Sequence, residues 1–245
     1  MSVRKVRDAL AIMVAFLALI WVLQVFNWAD GYRLDAHFGI LPHHVSRLPD
    51  IFTAPFLHFS WAHIEGNTVP LLVLGFLAAY RGLAKFLLVT VIVAVVSGLG
   101  VWLFQSGNEL TVGASGLIFG YFGYVLLRGV FDRNWVDIGT GILAGALYWT
   151  ILSVAIPGTP GVSWIGHLSG LAGGILAAWL LRTPRIARPG SVSPGAGVDG
   201  PRRPRGPREG DAGPGGFQAS DGKTRPLPET GTDKLIRELE EKGHL

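Results

Sequence analysis

Val112-Gly113-Ala114-Ser115-Gly116-Leu117-Ile118-Phe119-Gly120-Tyr121-Phe122-Gly123-Tyr124-Val125-Leu126-Leu127 is an uncharged, apolar run with one aliphatic hydroxyl near its start. At about 1.5 Å of rise per residue it is long enough to carry a helix most of the way through a bilayer. Gly116 and Gly120 stand four apart, on one helical face, where small residues let two helix backbones meet closely in lipid. The run therefore reads as a membrane span with a contact stripe, and Ser115 sits just below one mouth of it.

The flanking sequence repeats this pattern. Before it lie an apolar run over 86–104 and a short polar connection, Gln105 to Leu110, without Lys or Arg; after it come a charged loop from Arg128 to Asp137 and a further apolar run over 138–156. The loop from Pro157 to Val162 is uncharged, and the run over 163–181 carries His167 with Gly166, Gly170 and Gly174 at four-residue intervals. Upstream, 61–79 is polar at its mouth (His63, Glu65, Asn67) and apolar from Val69, with Arg81 and Lys85 in the turn that follows. The first run, 10–28, follows Arg4, Lys5 and Arg7; it is long for a signal-peptide core and no small-x-small site follows Trp28, so it reads as a retained span. Asp30 to Phe59, broken by Pro42, Pro49 and Pro55 yet rich in Phe and Ile, reads as a partly membrane-embedded loop.

Charge tests this count, because short loops rich in Lys and Arg face the cytoplasm. Arg4, Lys5, Arg7, Arg81, Lys85, Arg128, Arg133, Arg182, Arg185 and Arg188 fall on one side, and only Arg33 and Arg47 on the other. The expectation is an all-α polytopic membrane protein, a six-transmembrane-helix bundle over 1–182 with both termini cytoplasmic. Residues 183–245 are dense in Pro, Gly and Arg and too poor in apolar residues to build a core, so they read as a disordered, basic cytoplasmic tail; Thr232 could cap a short helix at 232–242, marginal on its own, which reads either as a small docking element or as an inert, fraying end. The net charge of +4 arises largely from arginines near the termini and points to topology and anionic lipid before nucleic acid. The absence of cysteine excludes disulfides and thiolate metal sites.

Topology gives depth. Runs two, four and six all descend from the outer face, so Ser115, His167, His63 and Asn67 fall in one layer roughly 5 to 10 Å below the rim. Independent structural polar residues would scatter in depth. His167, Gly170 and Gly174 share a face, so the imidazole projects from the contact stripe toward a neighbouring helix. A hydroxyl is a weak nucleophile until a base takes its proton, and neutral histidine suits that task, which makes Ser115 and His167 a candidate dyad. No acid in either run orients the imidazole, so a full triad is not indicated. Attack on an amide builds charge on the carbonyl oxygen; His63 and Asn67, one turn apart, and the backbone N–H groups near Ser115 are the candidate donors.

Each residue also has a plainer reading. Serine in a span commonly bonds back to a carbonyl, histidine makes structural hydrogen bonds, and His63 and Asn67 would serve to solvate a helix mouth. Their coincidence in one layer decides for chemistry. His37, His43, His44 and His58 show no helix-borne metal-ligand spacing, so neither a metal nor another cofactor is expected. Glu65 reads as a solvated rim charge. Ionisable residues at mid-membrane or repeated halves, which a transporter or channel would favour, are not found.

His58-Phe59-Ser60-Trp61-Ala62-His63-Ile64-Glu65-Gly66-Asn67, Gly113-Ala114-Ser115-Gly116 and Gly166-His167-Leu168-Ser169-Gly170 together resemble the rhomboid family of intramembrane serine proteases, over about residues 40–182. The resemblance implies Ser115 as nucleophile, His167 as general base, and His63, Asn67 and the Ser115 amide as oxyanion hole, with Gly113 allowing close entry to the site and His58 supporting it. It also implies a site opening outward through a water-filled cavity, and single-span membrane proteins as substrates. The alternative within the family is a catalytically silent member that binds transmembrane segments, which predicts loss of serine or histidine; both are present. Two departures stand out: Phe119 where many members place a tyrosine against the histidine, and Pro49-Asp50 where many carry Trp-Arg. The Arg, Gly, Ala and Pro bias suggests a GC-rich bacterial genome and hence a multi-pass protein of the plasma membrane.

Overall fold

The computed structural model describes residues 3–107, 109–157, 161–183 and 241. The helices belong to the first of two units, Met1–Arg188. Apart from Thr183 and Glu241, the expected disordered tail and its short helix at 232–242 lie outside the described residues.

Among the described residues of this unit there are seven α-helices: α1 (Val3–Ala29), α2 (Arg33–Phe38), α3 (Trp61–Ala79), α4 (Leu83–Phe104), α5 (Ser115–Asp132), α6 (Trp135–Tyr148) and α7 (Trp164–Leu180). Among the described residues β pairing is confined to an isolated antiparallel bridge between Ile40 and Thr111. By length and composition four helical stretches among the described residues qualify to cross a membrane: α1, α3, α4, and α6 with the start of its 3₁₀ extension, Trp135–Leu152; α7 is a shorter apolar helix. The protein is thus an all-α polytopic membrane protein.

Local chemistry sets the helix ends. Ser60, Asn134 and Ser163 cap α3, α6 and α7, their side-chain oxygens accepting from His63, from Val136 and Asp137, and from Gly166. Gly82 precedes α4 at φ +99°, a conformation that disfavours a side chain. Where the sequence suggests a helix over 138–156, α6 begins three residues earlier, at the Asn134 cap, and tightens after Tyr148 into a 3₁₀ segment, Trp149–Ala155. The run beginning at Val112 becomes helical only at Ser115, because Gly113, at φ +126°, turns the chain there.

Two glycine stripes set how closely α5 and α7 pack. A Cβ on Gly170 would lie 3.2 Å from the Gly116 Cα, and one on Gly174 would lie 2.9 Å from the Gly120 Cα, so the two backbones touch at these pairs. Helix α4 closes over them, with Val93 against Gly120 and Gly173 and Ser97 against Gly116. Helix α1 packs along α3, where Met13 meets Gly75 and Trp21 Nε1 donates to Thr68 Oγ1 at 3.2 Å.

At the end of the bundle remote from Ser115, charge ties the helices together. Arg81 pairs with Asp132 at 3.2 Å and also with Asp137; Arg128 pairs with Asp137 at 3.1 Å and donates to the Leu77 carbonyl at 2.7 Å. At the other end the segment from Asp30 to Phe59 is ordered into α2 and two 3₁₀ turns, Val45–Phe52 and Ala54–Phe56. Arg47 pairs with Asp50 and donates to the carbonyls of Ala36 and Gly39. The segment also bonds to the α4–α5 side, through Ile40 to Thr111 at 2.9 Å and through Trp102 Nε1 to the His44 carbonyl at 3.0 Å. The loop is thus anchored to protein, with Asp50 of the Pro49-Asp50 departure taking the ion pair.

Candidate active site

The site is assembled around the turn that starts α5. Gly113 donates its amide to the Ala54 carbonyl at 2.9 Å, which hangs the turn from the 3₁₀ segment before α3. A Cβ on Gly113 would lie 2.8 Å from His63 Nε2 and 3.9 Å from Asn67 Nδ2, so the heads of both α3 side chains stand directly over this glycine. The Ser60 cap sets the first turn of α3 and so places His63 there, with Asn67 one turn on, on the same face.

Beneath this layer lies His58. It is fully buried, its Nε2 accepts from the Ala114 N–H at 3.4 Å, and its ring meets that of His63 edge-on at 5.0 Å. Accepting through Nε2 requires the proton to sit on Nδ1. Burial, with a smaller push from neighbouring His63, holds His58 down to about 3, so the ring is neutral.

Ser115 is the first residue of α5, and Ala114 in the capping position offers no side chain to the first turn. The helices α3, α6 and α7 all have such a cap. The α5 N–H groups are thus left for something other than a capping oxygen. His167 is the fourth residue of α7 and is buried, its ring stacked on Phe119 with centroids 4.4 Å apart and planes 11° apart. The Gly116–Gly170 contact brings α5 and α7 together one residue past Ser115 and three past His167. Ser97 Oγ donates to the Gly166 carbonyl at 2.8 Å, fixing the residue before His167 to α4.

Ser115, His167, His63 and Asn67 all line one cavity of about 1100 Å³, together with Gly113 and Phe119. Asn67 Nδ2 is buried there without a hydrogen-bond partner among the described residues. Glu65 is exposed and does not line the cavity; His37, His43 and His44 are exposed outside it. Among the described residues no group of three or more His, Cys, Asp or Glu is placed to hold a metal. Sequence reasoning passed over Ser97 and the buried Gln24, and also Asn27 and Asp35, which are hydrogen-bonded to each other, with Asn27 reaching the His58 carbonyl. The signal for Gln24 and Asn27 was their polarity within an otherwise apolar run.

Fold and cavity together define an integral membrane protein with a serine- and histidine-lined site at one end of its helix bundle. The rhomboid domain model matches residues 44–184, more than half of the chain. Similar proteins include an uncharacterized protein of Mycobacterium tuberculosis, 41% identical over 180 residues that make up 70% of this chain and 75% of that one. Another, from Mycobacterium leprae, is 37% identical over 199 residues, 78% of this chain and 77% of the relative. The rhomboid protease GlpG of Yersinia pseudotuberculosis is 33% identical over 126 residues, 51% of this chain and 45% of that protein. The chain belongs to the rhomboid family, whose proteases act on membrane-protein substrates within the bilayer.

Proposed function

We propose that this protein is an intramembrane serine endopeptidase working through a Ser115–His167 dyad. The observation that carries the reading is the convergence of Ser115, His167, His63 and Asn67 on one cavity beside the uncapped start of α5. Ser115 Oγ attacks the scissile carbonyl while His167 takes its proton. The charge that develops on the carbonyl oxygen is met by His63, by Asn67 Nδ2, which has no hydrogen-bond partner among the described residues, and by the Ser115 N–H at the positive end of α5. His167 returns the proton to the leaving amine, the acyl bond holds the N-terminal product, and water activated by His167 then hydrolyses it. Phe119 keeps the ring that packs on His167, and its missing hydroxyl removes no group from these steps.

The substrates are transmembrane segments of single-span proteins, reached from the outer side of a bacterial plasma membrane. The supporting argument is the Lys and Arg asymmetry, which puts six spans across the bilayer, the Arg81 and Arg128 end and both termini in the cytoplasm, and the cavity toward the outside. The test is labelling of the detergent-solubilised chain with a fluorophosphonate probe, comparing wild type with Ser115→Ala and His167→Ala. Loss of label in both is expected, and label that survives Ser115→Ala overturns the assignment. Asn67→Ala should lower turnover of a cleavable transmembrane substrate about 10- to 10³-fold with the protein still folded.

A further inference from the structure

A buried carboxylate stands behind the site on an element that the mechanism does not use. Asp35 is 2% exposed although its neighbours Ala36 and His37 are exposed. Its Oδ1 accepts from Asn27 Nδ2 at 2.8 Å, and the same Asn27 nitrogen reaches the His58 carbonyl at 3.4 Å. Asn27 and His58 are fully buried, and His58 Nε2 in turn holds the Ala114 N–H. A continuous chain of hydrogen bonds thus runs from α2 through the end of α1 and His58 to the residue before Ser115.

This arrangement is costly as a device for stability alone. An apolar residue at Asp35 would bury without penalty, whereas Asp35 Oδ2, Asn27 Oδ1 and His58 Nδ1 are all buried without a partner among the described residues. Burial raises Asp35 to about 6, and the Asn27 hydrogen bond offsets only part of that. What the chain does supply is geometry. His58 is held at both ends, its carbonyl by Asn27 and its ring by Ala114, and so it transmits the position of α1 and α2 to the serine turn.

We infer that Asp35 is a positioning residue for the Ser115 turn, acting through Asn27 and His58 on the Ala114 amide. The inference rests on the reading of Ser115 as nucleophile for its effect on activity, but its effect on backbone order does not depend on that reading. Asp35→Ala removes the acceptor that orients the Asn27 amide; Asp35→Asn keeps a side-chain oxygen at that place.

Two measurements on the full-length protein in detergent decide it. Hydrogen exchange in a peptide covering 112–117 should speed up about tenfold in Asp35→Ala and stay near wild type in Asp35→Asn, while peptides from the Arg81–Asp137 end exchange as in wild type. The rate of fluorophosphonate labelling at Ser115 should fall about tenfold in Asp35→Ala, recover in Asp35→Asn, and fall no further when Asp35→Ala is added to His58→Ala, because the two act in series. Uniformly faster exchange throughout Asp35→Ala, or exchange at 112–117 equal to wild type, overturns the positioning role. Additive effects of Asp35→Ala and His58→Ala overturn the route through His58. Failure of wild type to label at Ser115 counts against the nucleophile assignment alone, and the exchange result still decides the role of Asp35.

Discussion

The ring of Phe119 lies flat on the imidazole of His167, centroids 4.4 Å apart and planes inclined by 11°. The histidine is the fourth residue of α7 and the phenylalanine the fifth of α5, so the stack crosses the helix pair that also carries the glycine contacts. A flat aromatic platform limits rotation of the imidazole about χ2, the freedom that His167 must lose in the proposed role of general base. An aromatic pair of this kind contributes about 0.5–1.5 kcal/mol beyond its buried area. Phe119→Ala should therefore lower kcat about tenfold, and Phe119→Tyr, which keeps the platform, should stay within about threefold of wild type. Turnover of a transmembrane substrate by the purified variants measures both.

Gly113 is constrained twice, by φ +126° and by the imidazole of His63 standing where a Cβ would project. Gly113→Ala must move either the turn or His63, and both belong to the proposed oxyanion site. The expected result is a loss of turnover of about 10²-fold or more, comparable to removing an oxyanion donor, with helix content retained by circular dichroism.

The α5–α7 contact predicts a stability effect distinct from catalysis. A methyl on Gly174 meets the Gly120 carbonyl with no flexible side chain to yield, so the helices must separate. Gly174→Ala should lower stability by about 1–3 kcal/mol, read as a reduced melting temperature in detergent. Gly139→Ala is the control, since nothing lies within 4 Å of a Cβ there; its melting temperature should match wild type or rise slightly, because alanine favours the helix.

The remote ion cluster predicts asymmetry between single and double changes. Arg128 is 4% exposed and depends on Asp137, which also faces Arg81. Asp137→Ala leaves a buried guanidinium without its carboxylate and should cost about 3–5 kcal/mol, whereas Arg128→Met combined with Asp137→Leu should cost much less. A double-mutant cycle on melting in detergent gives the coupling directly.

Acid stability should reveal Asp35 and His58 acting in opposite senses. His58 falls from 6.5 to about 3 on folding, so its contribution is present above pH 6.5 and is lost as pH drops toward 3. Asp35 rises from 3.8 to about 6, so burying its charge weakens the fold above pH 6, and that penalty is relieved as pH drops toward 3.8. Arg33, on the same helix as Asp35 and paired with Asp30, and Arg47, on the following 3₁₀ turn and paired with Asp50, are the arginines of this segment. Asp35→Asn removes the relief and keeps the loss. Its melting temperature should therefore fall more steeply than that of wild type between pH 6.5 and 4, and parallel curves would contradict the burial of the charge.

Much of the molecule could be read from residue order alone. The apolar runs, the positions of Lys and Arg, and the glycine repeats at 116 and 120 and at 170 and 174 are one-dimensional patterns, and a helix converts them directly into length, sidedness and a contact stripe. The expectation of a common depth for Ser115, His167, His63 and Asn67 rests on the same conversion, since depth along a helix is residue number multiplied by rise, and the four residues line one cavity. The motifs around His58, Ser115 and His167 added the family.

The tertiary structure decided what depends on contacts between residues far apart in the chain. Residue order did not show that α5 starts at Ser115 rather than Val112, because the Ala54–Gly113 hydrogen bond and the bend at Gly113 fix that start. Nor did it show that Asp30 to Phe59 is held to α4 by His44 and to the α4–α5 connection by Ile40, or that Asp35 is buried against Asn27 behind His58. A charged residue in a proline-broken loop looks solvated in any local window. Burial is set by which distant surface packs over it, and that is a property of the folded chain and not of any segment taken alone.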